Sequence, residues 1–208
     1  MCGRCVILTF DEVLDIIWEI ELGSAFNFET DWPARRTQAY PNSLAPLIIP
    51  TFNTAKGVPS LRQGSLQARE LAWGFEESWK PGVVFNTRIE SATKPTWRDS
   101  MEQRRCVIPV SAFYETHKSE TVASPKTGNP IKRQYEFRVP GEDVILIGCI
   151  WKGNRFSMVT TDANADMAPI HHRMPLIVRQ QELPLWLSPD YMRLADRSSI
   201  KLEAEPSC

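Results

Sequence analysis

Cys2 follows the initiator Met1, and a residue as small as cysteine in second place allows the methionine to be removed. A freed Cys2 would carry an α-amine with a pKa of about 7.7–8.0 and a thiol of about 8.5 on adjacent carbons. This pairing has one characteristic reaction. The amine condenses with an aldehyde to an imine, and the thiol then closes on the same carbon to give a five-membered thiazolidine. Ring closure suppresses the hydrolysis that normally reverses an imine. Position alone does not demand this chemistry, since a cysteine in second place is also an ordinary accident of composition.

Other residues offer partners for it. Phe113-Tyr114-Glu115 sets a carboxylate directly after two aromatics, where burial would raise its pKa toward acid–base use and exposure would leave it inert. His171-His172-Arg173-Met174-Pro175 reads as a site loop with a proline-fixed backbone. Adjacent side chains of an extended chain point to opposite sides, so one imidazole at most faces a given pocket. Arg4, Arg35, Arg36, Arg88, Arg98, Arg104, Arg105 and Arg173 include several beside aromatics, the combination that pairs phosphates and stacks bases in single-stranded nucleic acid, or simply a solvated surface. Cys2-Gly3-Arg4-Cys5 has redox and zinc spacing, but nothing except Met1 precedes it and no second ligand pair follows. Cys5 instead reads as a buried strand residue, and no metal or cofactor is expected.

These residues must be brought together by the elements between them. Thr9 and Glu12 make a capping box, Val13, Ile16, Ile17 and Ile20 form a helical stripe, and Gly23 ends it. Trp32 to Pro50 is Pro-rich and irregular, leading into Leu47-Ile48-Ile49. Leu71–Phe75, Cys106–Val110, Tyr135–Val139, Val144–Trp151 and Phe156–Thr161 read as strands. Pro95–Arg104 predicts a helix with Trp97 and Met101 on one face, and Glu182–Leu187 a short late one. His117 to Gln134 is polar and reads as a long exposed connection. Many short strands with few helices predict one α+β domain over residues 1–208 around a bent antiparallel sheet or open barrel.

Composition narrows the function classes. The chain has 208 residues, 24 Lys+Arg against 25 Asp+Glu, and a net charge of -1. Nothing global drives it to DNA or membrane, so any anion-binding surface must be local. The 16 Pro and 10 Gly argue against a helical bundle, and seven Trp are foremost core packing. No stretch is long and apolar enough for a membrane span. Five scattered Cys and the absence of a signal-like start predict a reducing, cytoplasmic setting.

Taken in order, Met1-Cys2-Gly3-Arg4, Trp73-Gly74 with Ser78-Trp79, Asn86-Thr87-Arg88-Ile89-Glu90, Arg105-Cys106-Val107-Ile108-Pro109 leading to Phe113-Tyr114-Glu115, and His171-His172-Arg173-Met174-Pro175 resemble the SOS response-associated peptidase (SRAP) family over about residues 2 to 187. The resemblance implies an α+β domain of bent antiparallel and mixed sheets forming a pseudo-barrel with few short helices. It also implies loss of Met1, by self-cleavage or an aminopeptidase, and covalent capture of abasic sites in single-stranded DNA by Cys2. Under it, Cys2 is the nucleophile, Asn86 fixes the terminal residue, Glu115 moves protons at the amine, and His171 assists opening of the deoxyribose ring. Arg4, Arg88 and Arg173 would line phosphates, Trp73 would pack a base or a loop, and Arg98, beside Trp97, joins the DNA-binding set. The chain departs from the family pattern at Thr116, where an aromatic is usual, and at Glu76 and Glu77, where acidic residues would hinder DNA. A monomer is expected. An N-terminal-nucleophile amidase or peptidase and a non-catalytic single-stranded DNA binder are the alternatives. A peptide panel set against abasic DNA separates the first from capture, and Cys2→Ala separates the second.

Overall fold

The computed structural model describes residues 2–24, 37–57 and 61–207; Met1, Trp32, Arg35 and Arg36 lie outside them. The strands among these residues are β1 (Arg4–Ile7), β2 (Thr37–Ala39), β3 (Leu44–Pro50), β4 (Leu66–Trp73), β5 (Phe75–Glu76), β6 (Val83–Val84), β7 (Asn86–Arg88), β8 (Arg105–Ala123), β9 (Pro130–Arg138), β10 (Ile145–Lys152), β11 (Arg155–Asp162), β12 (Arg173–Pro175), β13 (Ile177–Val178) and β14 (Glu203–Ser207). The helices are α1 (Phe10–Leu22), α2 (Pro95–Gln103) and α3 (Leu183–Leu187).

Thr9 Oγ1 accepts from the Glu12 N–H at 3.3 Å while Glu12 Oε2 accepts from the Thr9 N–H at 2.6 Å. This reciprocal cap starts α1 where its sequence signature placed it, and Gly23 closes the helix in the left-handed region at φ 72°. The buried stripe Val13, Ile16, Ile17 and Ile20 lays α1 across β3 and β4. α2 opens with Pro95, whose missing N–H is of no consequence in a first turn, and buries Trp97 and Met101.

Most strands join one mixed sheet whose path runs β13–β10–β11–β4–β3–β8–β1–β2. β8 also pairs antiparallel with β10 along Arg105–Val110, so the path bends back on itself into a partial ring. β11 is the hub: besides β10 and β4 it carries β7 in parallel and β12 in antiparallel pairing. Alternation along β8 separates two cores, with Cys106, Ile108 and Val110 turned toward Leu47, Trp73, Phe113, Phe137 and Phe156, and Val107 toward α1, Met101 and Trp186.

Two expectations need correction. Leu71–Phe75 is not one strand, because the chain breaks at Gly74 with φ 106° between β4 and β5. A Cβ there would stand 2.6 Å from Val83 Cγ2, so only glycine permits the step. The segment 117–134 is not a long connection either. β8 and β9 continue through it as an exposed antiparallel ribbon, and only residues 124–129 lie between the strands. Backbone ladder bonds order this polar stretch without an apolar pattern to announce it. For the same reason β14, a polar strand pairing with β9, escaped notice. No helix among the described residues is long and apolar enough to cross a membrane.

Candidate active site around the amino-terminal cysteine

β1 pairs antiparallel with β8 so that Arg4 faces Tyr114 and Cys5 faces Phe113. Carrying that register one step beyond β1 brings the start of the chain beside Glu115. Cys2 and Cys5 are both buried, and the Cys2 thiol reaches the Arg4 carbonyl oxygen at 3.6 Å. From the other side, β7 lies on β11 with Asn86 opposite Met158. Its Nδ2 donates to the Cys2 carbonyl at 2.8 Å across 84 positions of sequence. Trp73 helps to aim β7: its Nε1 donates at 2.9 Å to the carbonyl of Phe85, one residue before Asn86, and that carbonyl also accepts from the Met158 N–H of β11 at 3.1 Å.

Burial sets the electrostatics. Glu115 is 2% exposed, and desolvation pushes its carboxyl up to about 7, against the opposing pull of the amino terminus, the Thr116 N–H and the His172 charge. A carboxyl there can both hold and release a proton near neutrality. Burial, seconded by the Glu115 charge, pushes the Cys2 thiol up to about 12, so the sulfur is a neutral S–H in this state. The His171 Nδ1 accepts from the Arg173 N–H at 3.0 Å, and burial, more than any neighbouring charge, holds the ring below the usual histidine range.

His172 departs from expectation. Its ring does not turn away from His171; the centroids stand 4.5 Å apart with planes tilted by 32°. The backbone bends at His172 and becomes strand only at Arg173, so the alternation of an extended chain does not apply. The charge of His172 also reaches Glu115.

The arginines divide into surface and structural groups. Arg4 lies half-buried with its guanidinium 3.9 Å from the Tyr114 ring centroid, donating to Gln134 at 2.7 Å and Gln38 at 3.2 Å. Arg88, at the end of β7, and Arg98, on α2, are exposed. Arg173 is not open to phosphate as expected. It is 4% exposed and donates to Glu90 at 2.8 Å, Asp162 at 2.5 Å and the Thr160 carbonyl at 2.9 Å, so two carboxylates already neutralise it. Arg104 pairs with Asp99. Arg105 is fully buried in a cage of carbonyls from Met101, Thr54, Trp186, Leu187 and Ser188. Trp73 offers no face to a base: it is 0% exposed, stacked on Phe156 and edge-on to Phe85. Its role toward the site, positioning β7, was missed in the sequence, as was the pairing of Glu90 with Arg173, although Glu90 ends the very motif that contains Asn86. Glu76 and Glu77 are partnered by Arg155 and by Lys152 at 3.5 Å.

Known proteins match nearly the whole chain. The family model described as SOS response associated peptidase (SRAP) matches residues 1–206. The chain is similar to the abasic site processing protein YoaM of Bacillus subtilis (strain 168), 26% identical over 93% of this chain and 84% of that one. It is likewise 26% identical to the abasic site processing protein YoqW of the same organism, over 91% of this chain and 81% of the other. Among solved structures, a protein of Bacteroides thetaiotaomicron superposes with a TM-score of 0.65 at 19% identity, covering 99% of this chain and 91% of that one. A phage-related protein of Bordetella bronchiseptica gives 0.65 at 18%, covering 99% and 94%. With the match running from residue 1 into the last strand, the chain belongs to the SOS response associated peptidase (SRAP) family.

Proposed function

We propose that the protein loses Met1 and that the freed Cys2 captures abasic sites in single-stranded DNA as a thiazolidine. The observation that carries this reading is the clamp on Cys2: Asn86 holds its carbonyl at 2.8 Å from β7 while the buried Glu115 adjoins it from β8. Family membership and the names of the relatives agree with an abasic-site substrate.

Loss of Met1 is a hydrolysis of the Met1–Cys2 peptide bond that consumes one water. Cys2 then presents amine and thiol together. The neutral amine adds to the open-chain aldehyde of the abasic sugar, and the resulting alcohol leaves as water to give an imine. Glu115, poised near 7, takes the proton from the attacking nitrogen and returns one to the departing oxygen. His171 delivers the proton exchange that opens the sugar ring to its aldehyde. The thiol, which burial keeps as S–H, then adds across the C=N bond; the new bond is C–S, and the thiol proton passes to nitrogen. Because the sulfur starts protonated, the amine acts first, which sets this order apart from a thiolate-first amidase. Arg4 and Arg88 supply cations to the strand at the site, and Arg98 adds another on α2.

The test is intact mass followed by adduct formation. Native protein should lack Met1 and give a heat-stable adduct with an abasic oligonucleotide, without metal or nucleotide. Cys2→Ala should give only a reversible imine trapped by borohydride, and a blocked amine should give no thiazolidine. A heat-stable adduct from Cys2→Ala would end the proposal, as would hydrolysis of a peptide panel with no reaction at abasic DNA.

A further inference from the structure

The ribbon formed by β8 and β9 beyond Glu115 carries Lys118, Lys126, Lys132 and Arg133 against a single carboxylate, Glu120. That carboxylate is already occupied: Arg133 Nε lies 2.6 Å from it and Tyr135 Oη donates to it at 2.6 Å. Lys118 donates to the Ala168 carbonyl at 3.2 Å and Lys132 to the Lys118 carbonyl at 2.9 Å. These contacts are with neutral groups; among the described residues no carboxylate pairs with Lys118, Lys126 or Lys132, and all three are exposed. Near-zero net charge therefore conceals segregation, with Asp11, Glu12, Asp15, Glu19 and Glu21 and no cation on α1 and uncompensated cations on the ribbon.

The ribbon is built and not merely polar. The β8–β9 register slips between Thr116 and Thr121, and His117 fixes that irregularity by accepting from the Ser119 N–H at 3.1 Å and the Glu120 N–H at 2.8 Å. The His117 ring lies 6.0 Å from that of Tyr135. Such irregularities re-aim a strand beside a site. Its root is the site itself, since Glu115 pairs with Tyr135 and the Lys118 N–H donates to the carbonyl of Ile170, the residue before His171, at 3.0 Å. Along β9, from Tyr135 opposite Glu115 to Pro130 at the turn, the ribbon extends roughly 17 Å at about 3.3 Å per residue.

We propose that this ribbon is a basic arm that tracks the phosphates of single-stranded DNA on one side of the abasic nucleotide. The proposal rests on the single-stranded DNA reading above and adds a second, sequence-independent contact zone to it. Because the arm leaves the site in one direction, it makes capture sensitive to one flank of the strand and indifferent to the other.

The experiment uses the full chain and the double variant Lys126→Gln/Lys132→Gln, which leaves Lys118 and its tie to the His171 loop intact. Binding to undamaged oligothymidylate is followed by anisotropy across a salt series. Adduct rates at limiting protein are then measured on abasic oligonucleotides carrying a flank of about four nucleotides, at the low end of what a single-strand groove tracks, on the 5′ side only or the 3′ side only. The variant should flatten the log–log salt slope by about 1.4, at roughly 0.7 per lost phosphate contact. Its adduct rate should fall with one flank and match native protein with the other. Lys126→Glu/Lys132→Glu should enlarge both effects. An unchanged slope, or equal rates or equal losses on both flanks, overturns the arm. If native protein forms no adduct but its salt slope depends on the ribbon, capture fails and the arm stands. If the adduct forms and the slope ignores the ribbon, the reverse holds.

Discussion

At the scale of single residues, the reactive group and its acid–base partner are tuned by the same burial. Glu115 is raised from 4.5 to about 7 chiefly by desolvation, which makes a stability prediction with a definite sign. Between these two values the native state holds a proton that the unfolded chain has released, so the contribution of Glu115 to stability is greatest below about pH 4.5 and declines as pH rises to about 7. Glu115→Gln should abolish that decline, and thermal melts of the two proteins from pH 4 to 8 should converge at the acid end. Parallel curves would show that Glu115 is not held up in the fold. The adduct rate of native protein should show an inflection near 7 that Glu115→Gln lacks. His171 and His172 enter as a tilted pair of adjacent rings, so His172→Ala should alter the pH profile of capture through Glu115 and not merely leave it untouched.

At the scale of elements, the site depends on how β7 is hung. Trp73→Phe keeps most of the apolar volume but removes one of two donors to the Phe85 carbonyl, which keeps the Met158 N–H at 3.1 Å, at a cost of about 0.5–1.5 kcal/mol. The expected result is a modest loss of stability and a larger loss of adduct rate, since Asn86 loses its aim at Cys2. If rate and stability fall only together, Trp73 is packing alone. Gly74→Ala meets both a left-handed φ of 106° and Val83 at 2.6 Å, and should destabilise by about 2–4 kcal/mol, measurable by urea unfolding. The elements themselves were readable to different degrees. α1 was legible because capping, stripe and terminal glycine all agree. The β8–β9 ribbon and β14 were not, because backbone pairing holds polar strands together with no apolar alternation to betray them.

At the scale of the whole molecule, one buried cation joins parts that are remote in sequence. Arg105 ties β8 to α2, to the 54 region and to the end of α3 through carbonyls alone, with Tyr191 packed 4.1 Å from its guanidinium. Desolvation, against the charges of Tyr191 and Glu102, lowers it to about 10, so it stays charged at neutral pH. Arg105→Ala should cost on the order of 3–5 kcal/mol by leaving those carbonyls without a donor, read by calorimetry as a large drop in Tm. Sequence alone had placed Arg105 among candidate nucleic-acid contacts, and nothing local distinguishes it from Arg104 beside it.

What the sequence determined by itself was the set of reactive residue types and the local signatures of the elements around them. Cys2 behind Met1, the motifs around Asn86, Glu115 and His171, and the α1 cap depend only on neighbours along the chain. What only the tertiary structure decided was which side chains are free. Trp73 and Arg173 look like ligand contacts in one dimension, yet the first is sealed in a core and the second is neutralised by Glu90 and Asp162. The pKa values of Cys2 and Glu115 and the exposure of ribbon lysines that no carboxylate pairs are equally set by burial and by partners far away in sequence. Desolvation and charge pairing depend on distances in space, and a linear pattern does not encode those until the sheet has closed on itself.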